Sequence, residues 1–167
     1  MTQRSNRQWR LASRPVGLIQ ESDFQWHEEP VRDLAEGEVL VRTVYLSLDP
    51  ANRGWISGGP SYVEPVAIGE VMRGLTLGVI EASRNDRFAV GTVVAGTNGW
   101  RDFAISDGSD LRVIPDSPLP LTAHLGLFGI IGLTLIHLGV RFMRLYGSDV
   151  LGEFWPAFKN IHFSTIV

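Results

Sequence analysis

The sequence predicts a mainly β fold with some helix, in which a barrel or sandwich of short strands is followed by an apolar helical segment. Between residues 11 and 115, turn-forming pairs separate short runs rich in Val, Ile, Phe and Trp, as in all-β barrels and sandwiches. After Pro118, apolar residues recur at helical density instead. The 167 residues, 44% of them hydrophobic, suffice for one buried core and are too few for two ordinary domains.

The clearest strand is predicted at 38–48, Glu-Val-Leu-Val-Arg-Thr-Val-Tyr-Leu-Ser-Leu. Both alternating sets of its side chains include large apolar residues, so both faces are expected to be covered. Residues that favour strands also predict strands at 77–82, 89–95, 100–105 and 111–114. After the first strand, Asp49 is a favoured N-cap and Pro50 a favoured first helical residue. This pair predicts the start of a short helix.

The stretch from Leu119 to Val140 contains no Asp, Glu, Lys or Arg, and its length approaches the ~20 apolar residues of a membrane span. Its proline, polar residues and four glycines (126, 129, 132 and 139) lower its hydropathy. We therefore predict a buried helical segment that another protein surface covers. Three of these glycines recur every three residues and would lie along one helical face, and a loop between two short helices is the alternative. The predicted domains are 1–118, the apolar segment 119–140, and a divergent tail 141–167.

The composition excludes several classes of function. A net charge of -3 provides no broad positive field for nucleic acid. Without cysteine, neither a disulfide framework nor a thiolate zinc site can form, and the four histidines are scattered, so no metal is predicted. The polar N-terminus lacks the apolar core of a secretory signal, which makes the cytoplasm the expected location.

One motif, Asp-Pro-Ala-Asn-Arg at 49–53, could carry chemistry. The Arg53 guanidinium is suited to holding a phosphate or carboxylate through paired hydrogen bonds. An internal ion pair with Asp49 or Glu70 is the alternative, and Glu70 could also pair with Arg73.

Several linked segments carry a family resemblance. They are Asn-Arg-Gln-Trp at 6–9, Glu-Gly-Glu-Val-Leu-Val-Arg at 36–42, Tyr-Leu-Ser-Leu-Asp-Pro at 45–50, Gly-Pro-Ser-Tyr at 59–62 and Ile-Gly-Glu-Val-Met-Arg-Gly at 68–74. Together they resemble the zinc-free medium-chain dehydrogenase/reductase superfamily, in the group of NADPH-dependent enone reductases of the leukotriene B4 dehydrogenase, prostaglandin reductase and curcumin reductase type. The resemblance runs from about Asn6 to Leu138 and implies a partial GroES-like barrel. It also implies an oxidoreductase that transfers hydride from NADPH to the C=C bond of a conjugated enone.

The resemblance also implies site residues. It places Pro50, Ala51, Arg53, Gly132 and Thr134 beside the cofactor, and Ala51 and Tyr62 beside the substrate, while it assigns no catalytic residue and no metal. Where the family usually reads Leu-Asp-Pro-Tyr-Met-Arg, this chain has Ala51 and Asn52, which should widen the pocket or leave it unused. Gly132 and Thr134 match the family's Gly-Met-Pro-Gly-Leu-Thr segment, although a threonine bonded to its own helical turn is the alternative for Thr134.

No complete Rossmann domain or Gly-x-Gly-x-x-Gly fingerprint can be read in the chain. The first hypothesis is therefore the amino-terminal part of an enone reductase, truncated and inactive in isolation. The second is a free-standing module that binds a small molecule without redox chemistry, and the third is a membrane-associated protein using 119–140. If the first holds, Leu133, Ile136 and their neighbours would form an exposed apolar patch that favours homo-oligomers.

Overall fold

The residues that the structure describes form two antiparallel sheets and one short α-helix. This computed structural model describes residues 4–59 and 63–126 and, beyond them, Gly132, Thr134, Leu135, His137, Leu138 and Arg141. The strands are β1 (Ser5–Leu11), β2 (Phe24–Pro30), β3 (Val39–Leu46), β4 (Thr76–Ser83), β5 (Val93–Gly96), β6 (Phe103–Ser106) and β7 (Arg112–Val113), and the helix is α1 (Ala51–Ile56). Short 3-10 turns occupy Glu21–Asp23 and Leu121–His124.

The five-stranded sheet has the order β6-β3-β4-β5-β7, with antiparallel pairing throughout. One face buries what we call the sheet cluster, which consists of Val39, Val41, Ile80, Phe88, Val94 and Leu111. Strand β3 can approach β4 closely at Gly78, where an added Cβ would lie 2.7 Å from the carbonyl oxygen of Arg42. Glycine at this position therefore fixes the spacing of the two central strands.

The second sheet pairs β1 with β2, from Ser5 opposite Pro30 to Leu11 opposite Phe24. Close to it lies what we call the helix cluster, formed by Leu11, Trp55, Ile56, Val66 and Met72. Phe24, Ala51 and Trp100 pack against its edge. The cluster thus joins β1 and α1 to the segment 66–72.

The mainly β fold is confirmed, and β3, β4, β6 and β7 lie where strands were predicted, with shifted ends. Strand β5 is shorter than predicted, because the chain from 89 to 92 forms turns around Gly91. The prediction that β3 is covered on both faces is wrong for its second half, since Val44 and Tyr45 are 41% and 42% exposed.

Two strands, β1 and β2, were not predicted. Their sequences are dominated by polar residues, which hide the alternation of a half-buried strand. Of the side chains in β1, Asn6 and Gln8 are buried although both are polar.

The chain divides into two compact units, Met1–Leu125 and Gly126–Val167. In the second unit, Gly126 lies in a turn, the other six described residues have helical backbone conformation, and Leu135 and Leu138 are exposed. Leu133 and Ile136 lie outside the described residues, so the apolar patch and the helical segment remain predictions. Within the part of the chain that the structure describes, no helix has the length and apolar character needed to cross a membrane.

Candidate functional site

The candidate site is built around α1, which follows directly from the end of β3. Pro50 is the N-cap and no side chain caps the helix. Instead, the backbone carbonyl of Asp49 accepts a hydrogen bond from the Asn52 N–H at 2.9 Å. A helix after Asp49-Pro50 was predicted correctly, but the capping role of the Asp49 side chain and the position of Pro50 inside the helix were wrong.

One face of α1 is buried, because Asn52, Trp55 and Ile56 are spaced three and four residues apart. Ala51 is half-buried and packs against the helix cluster, whereas Pro50 and Gly54 are exposed. The exposed side of α1 therefore carries only small or flat side chains near its start. The place of Pro50 and Ala51 beside a nicotinamide stays a prediction.

Arg53 ties α1 to the loop that follows β1. Its Nη1 donates to the Ser57 hydroxyl at 2.9 Å, and its Nη2 donates to the carbonyls of Gly17 at 3.0 Å and Pro15 at 3.4 Å. The Ser57 hydroxyl in turn donates to the Arg53 carbonyl at 2.8 Å. Among the described residues, Arg53 forms no ion pair with Asp49 or Glu70. The predicted internal ion pair is wrong, because backbone carbonyls take the guanidinium instead.

The loop that Arg53 holds is further fixed by Asp23. This carboxylate accepts hydrogen bonds from the Gln20 N–H at 2.8 Å and the Ser13 hydroxyl at 2.8 Å. These bonds, with Arg53 nearby, lower the pKa of Asp23 below its ordinary value. The loop consequently holds Val16 and Leu18, which are 96% and 84% exposed, outward in one defined arrangement.

Two more arginines form hydrogen bonds with backbone carbonyls in and after α1. Arg14 donates to the Ile56 carbonyl at 3.1 Å. Arg73 donates to the Glu64 carbonyl at 2.8 Å, and its guanidinium lies 5.7 Å from the centre of the Trp55 ring. The suggested Glu70–Arg73 ion pair does not form, because Glu70 accepts the Ala67 N–H instead. Sequence reasoning missed these arginine–carbonyl contacts, since a carbonyl acceptor leaves no trace in the sequence.

Polar atoms without hydrogen-bond partners collect near the start of α1. The Asn52 Oδ1 and Asp49 Oδ2 atoms are buried and accept no hydrogen bond in the described structure. Trp100, at the edge of the helix cluster, buries its Nε1 in the same way. An unsatisfied buried polar group costs roughly 1–3 kcal/mol. A ligand at this end of α1 could offset that cost.

Of the predicted site residues, the structure brings Pro50, Ala51 and Arg53 together at α1. Tyr62 lies outside the described residues. Gly132 and Thr134 belong to the second unit, where both have helical backbone conformation. Among the described residues no cluster of three or more His, Asp or Glu side chains could hold a metal ion. The roles inferred for Tyr62, Gly132 and Thr134 stay predictions.

The geometry suits binding rather than bond-making. Both terminal nitrogens of Arg53 already donate within the protein, which leaves its Nε as the donor without a described partner. No described side chain in the α1 region pairs a nucleophile with a base. The region therefore offers a shaped surface of small residues with unsatisfied polar atoms beneath it.

Comparison with known proteins gives a consistent result. Residues 7–114 match the family model described as the N-terminal domain of oxidoreductase. The chain is 45% identical over 129 residues to the NADPH-dependent curcumin reductase of Escherichia coli strain K12, covering 77% of this chain and 37% of that protein. It is 33% identical over 130 residues to prostaglandin reductase 1 of Bos taurus, covering 75% of this chain and 37% of that protein.

Solved structures agree. The crystal structure of CurA from Vibrio vulnificus matches with a TM-score of 0.73 and 44% identity, over 77% of this chain and 38% of that one. The structure of CurA in complex with NADPH, from the same organism, matches with a TM-score of 0.71. The chain thus spans somewhat more than a third of the length of these relatives.

Proposed function

Because the chain belongs to the medium-chain dehydrogenase/reductase superfamily through its oxidoreductase N-terminal domain, we propose that it is the substrate-binding part of an NADP-dependent enone reductase. The single observation that carries this proposal is the 45% identity with the NADPH-dependent curcumin reductase, which extends over 129 residues. The fold supports it, because the match to CurA covers the same 77% of the chain. The substrate class follows from the names of these relatives and is proposed for this chain.

The chemistry would be hydride transfer to the β-carbon of a conjugated enone, and NADPH supplies the hydride when bound. Negative charge then gathers on the carbonyl oxygen, which hydrogen-bond donors must stabilise. In this chain, Pro50 and Ala51 would lie against the nicotinamide, with Gly132 and Thr134 completing the cofactor contacts. Ala51 and Tyr62 would contact the substrate. Arg53 contributes by holding the loop at 15–17 against α1.

We propose further that the isolated 167-residue chain does not catalyse the reduction of an enone by NADPH. Its sequence contains no Gly-x-Gly-x-x-Gly turn, and such a turn at a helix N-terminus holds the pyrophosphate of a dinucleotide. Without that anchor, the α1 surface supplies only a fraction of the contacts that NADPH needs.

A chimera tests the proposal directly. Residues 1–125 of this chain would replace the matching portion of the Escherichia coli curcumin reductase, and NADPH oxidation would be followed at 340 nm with curcumin as substrate. We expect turnover by the chimera and none by the isolated chain. An inactive chimera that is folded by circular dichroism would contradict the proposal, whereas turnover by the isolated chain would contradict only its inactivity.

A binding experiment distinguishes this function from that of a free-standing binding module. Curcumin fluorescence would be titrated with the isolated chain and with its Arg53→Ala variant. Saturable binding that Arg53→Ala weakens, together with an inactive chimera, would favour the module over the reductase. Sedimentation of the expressed chain with membranes, reversed only by detergent, would favour the membrane hypothesis instead.

A further inference from the structure

A cavity of about 390 Å³ lies away from α1, between the end of β2 and strand β6. Its apolar lining includes Leu40, Phe103 and Ile105, and its polar lining includes Asn6, Glu29 and Arg101. The volume falls within the roughly 300–1,000 Å³ that is usual for small-molecule sites. No residue of α1 lines this cavity.

Arg101 is the unusual group in the lining. Its Nε donates to the Asn98 carbonyl at 2.6 Å, and neither terminal nitrogen donates to any residue in the described parts of the chain. Burial lowers the pKa of Arg101, and the charges of Glu29 and Asp110 offset only part of that effect. Burying a charge without a close partner is costly. A half-buried guanidinium that lines a cavity and has two terminal nitrogens without described partners is therefore suited to binding an anion.

Asn6 provides a second hydrogen-bond donor that has no partner among the described residues. The side chain is 93% buried, since only 7% is exposed, and its Oδ1 accepts the Phe103 N–H at 2.9 Å. That bond fixes the orientation of the amide, and Nδ2 has no partner among the described residues. The arrangement is rigid because Asn6 belongs to β1 and Phe103 to β6.

The other charged groups of the lining are already engaged. Glu29 accepts a hydrogen bond from Arg10 at 2.9 Å and lies 3.4 Å from His27. Arg32 donates from both terminal nitrogens to Glu38, at 2.6 and 2.7 Å. The groups without partners are thus donors, and the charged residues that line the cavity are Arg32, Arg101 and Glu29.

We propose that this cavity binds a small organic carboxylate with a flat apolar body. Its carboxylate would accept hydrogen bonds from the Arg101 guanidinium and from Asn6 Nδ2, in the paired geometry that arginine favours. Its body would lie over Leu40, Phe103 and Ile105. The surplus of one positive charge suits a monoanion, and the carboxylate of Glu29 disfavours a phosphate dianion. The site is independent of the enone reductase proposed above.

The test uses the whole 167-residue chain, labelled with 15N, and two matched probes. Phenylacetate carries the charge, and 2-phenylacetamide has the same shape without it. We expect saturable NMR shifts with phenylacetate at the Asn6 side-chain amide and at the Phe103 and Ile105 backbone amides. Phenylacetamide should bind at least about 10-fold more weakly, equivalent to about 1.4 kcal/mol. Equal binding of the two probes, or no saturation by phenylacetate below about 10 mM, would overturn the proposal.

Variants separate the cavity from general effects of charge. Arg101→Gln should weaken phenylacetate binding at least about 10-fold, while Arg112→Gln, an exposed arginine on β7, should leave it unchanged. Ile105→Trp keeps the arginine and fills the apolar floor, so it should also abolish binding. If the spectrum of Arg101→Gln shows an unfolded chain, Ile105→Trp is the variant that tests the proposal. Persistence of the phenylacetate shifts in a folded Ile105→Trp variant would show that phenylacetate does not bind in this cavity and would overturn the proposal.

Discussion

The sheet cluster and the helix cluster bury similar apolar residues, but different contacts fix them. In the sheet cluster, backbone pairing positions Val39, Val41 and Ile80, because antiparallel ladders join β3, β4 and β5, with two register shifts between β3 and β4. In the helix cluster, α1 has only six residues, and Arg14, Arg53 and Arg73 hold its surroundings through backbone carbonyls. The sheet cluster thus depends on backbone pairing between strands. The helix cluster depends on hydrogen bonds from single arginine side chains to distant backbone carbonyls.

Buried polar atoms without hydrogen-bond partners occur in both regions, since Thr43 Oγ1 on β3 is one of them. Asn52 and Asp49, beside the helix cluster, bury oxygens that have no partner in the described structure. Natural proteins tolerate such departures mainly at functional sites. We expect the sheet cluster to provide most of the stability of this unit, and the α1 region to depend on the hydrogen bonds of individual side chains. Four measurements can break or sharpen this distinction.

The largest effect is expected from Ile80→Ala. Ile80 is fully buried in the sheet cluster, so its truncation should lower the free energy of unfolding by about 2–5 kcal/mol. Urea denaturation followed by circular dichroism measures this. The control is Val113→Ala on β7, where the side chain is 47% exposed and the cost should stay below about 0.5 kcal/mol. Equal costs at the two positions would show that the sheet cluster does not carry the stability of this unit.

A pair of glycines tests how tightly the sheet cluster is packed. Gly108 and Gly91 both have positive φ, at 83° and 90°, so alanine strains the backbone by roughly 1–2 kcal/mol at either position. An added Cβ at Gly108 would also enter the buried Phe88 ring, whereas at Gly91 it would meet nothing within 4 Å. Gly108→Ala should therefore cost about 1–3 kcal/mol more than Gly91→Ala. A difference near zero in urea denaturation would mean that Phe88 can move and that the cluster is loosely packed.

Arg53→Ala should have a smaller and more local effect. It removes hydrogen bonds to Gly17, Pro15 and Ser57, and because Arg53 is half-buried we expect a loss of about 1–2 kcal/mol. Hydrogen exchange should accelerate at the amides around 16–20 and in α1, and not in β3 or β4. Arg53→Lys keeps the charge but not the forked geometry, so it should restore only part of the protection. Faster hydrogen exchange throughout the five-stranded sheet would contradict the local role of Arg53.

Much of the fold could be predicted from the sequence. The runs of Val and Ile in β3 and β4 alternate or continue as buried strands do, and Asp49-Pro50 marks the start of α1. The polar strands β1 and β2 could not be predicted, because their buried members Asn6 and Gln8 are residues that usually lie on the surface.

The candidate site was predictable only through its motifs. The Asp-Pro-Ala-Asn-Arg segment located α1, but the partners of Arg53 are backbone carbonyls of a loop that lies 36 and 38 residues away in the sequence. Main-chain acceptors have no residue type, so charge patterning favoured Asp49 or Glu70 instead. The cavity at Arg101 escaped prediction for a related reason, because only the pairing of β3 with β6 brings Leu40 beside Ile105.

Acid titration compares the two regions through one carboxylate in each, and it should give the smallest effects. Glu38, next to β3, accepts hydrogen bonds from Arg32 and from the Ala35 N–H, which lower its pKa from the ordinary 4.5 to about 2. Asp23, beside the helix cluster, has its pKa lowered by the Gln20 N–H and the Ser13 hydroxyl.

A carboxylate whose pKa is lower in the folded state stabilises the fold above its unfolded pKa and loses that contribution as the pH falls towards the folded pKa. Stability should therefore decline between pH 4.5 and about 2, and Glu38→Gln and Asp23→Asn should each flatten part of this decline. Urea denaturation at several pH values measures it. Hydrogen exchange at low pH adds the regional readout. Asp23→Asn should change the protection of amides around 16–20, whereas Glu38→Gln should change the protection of amides at the start of β3. The reverse pattern would contradict the distinction between the two regions.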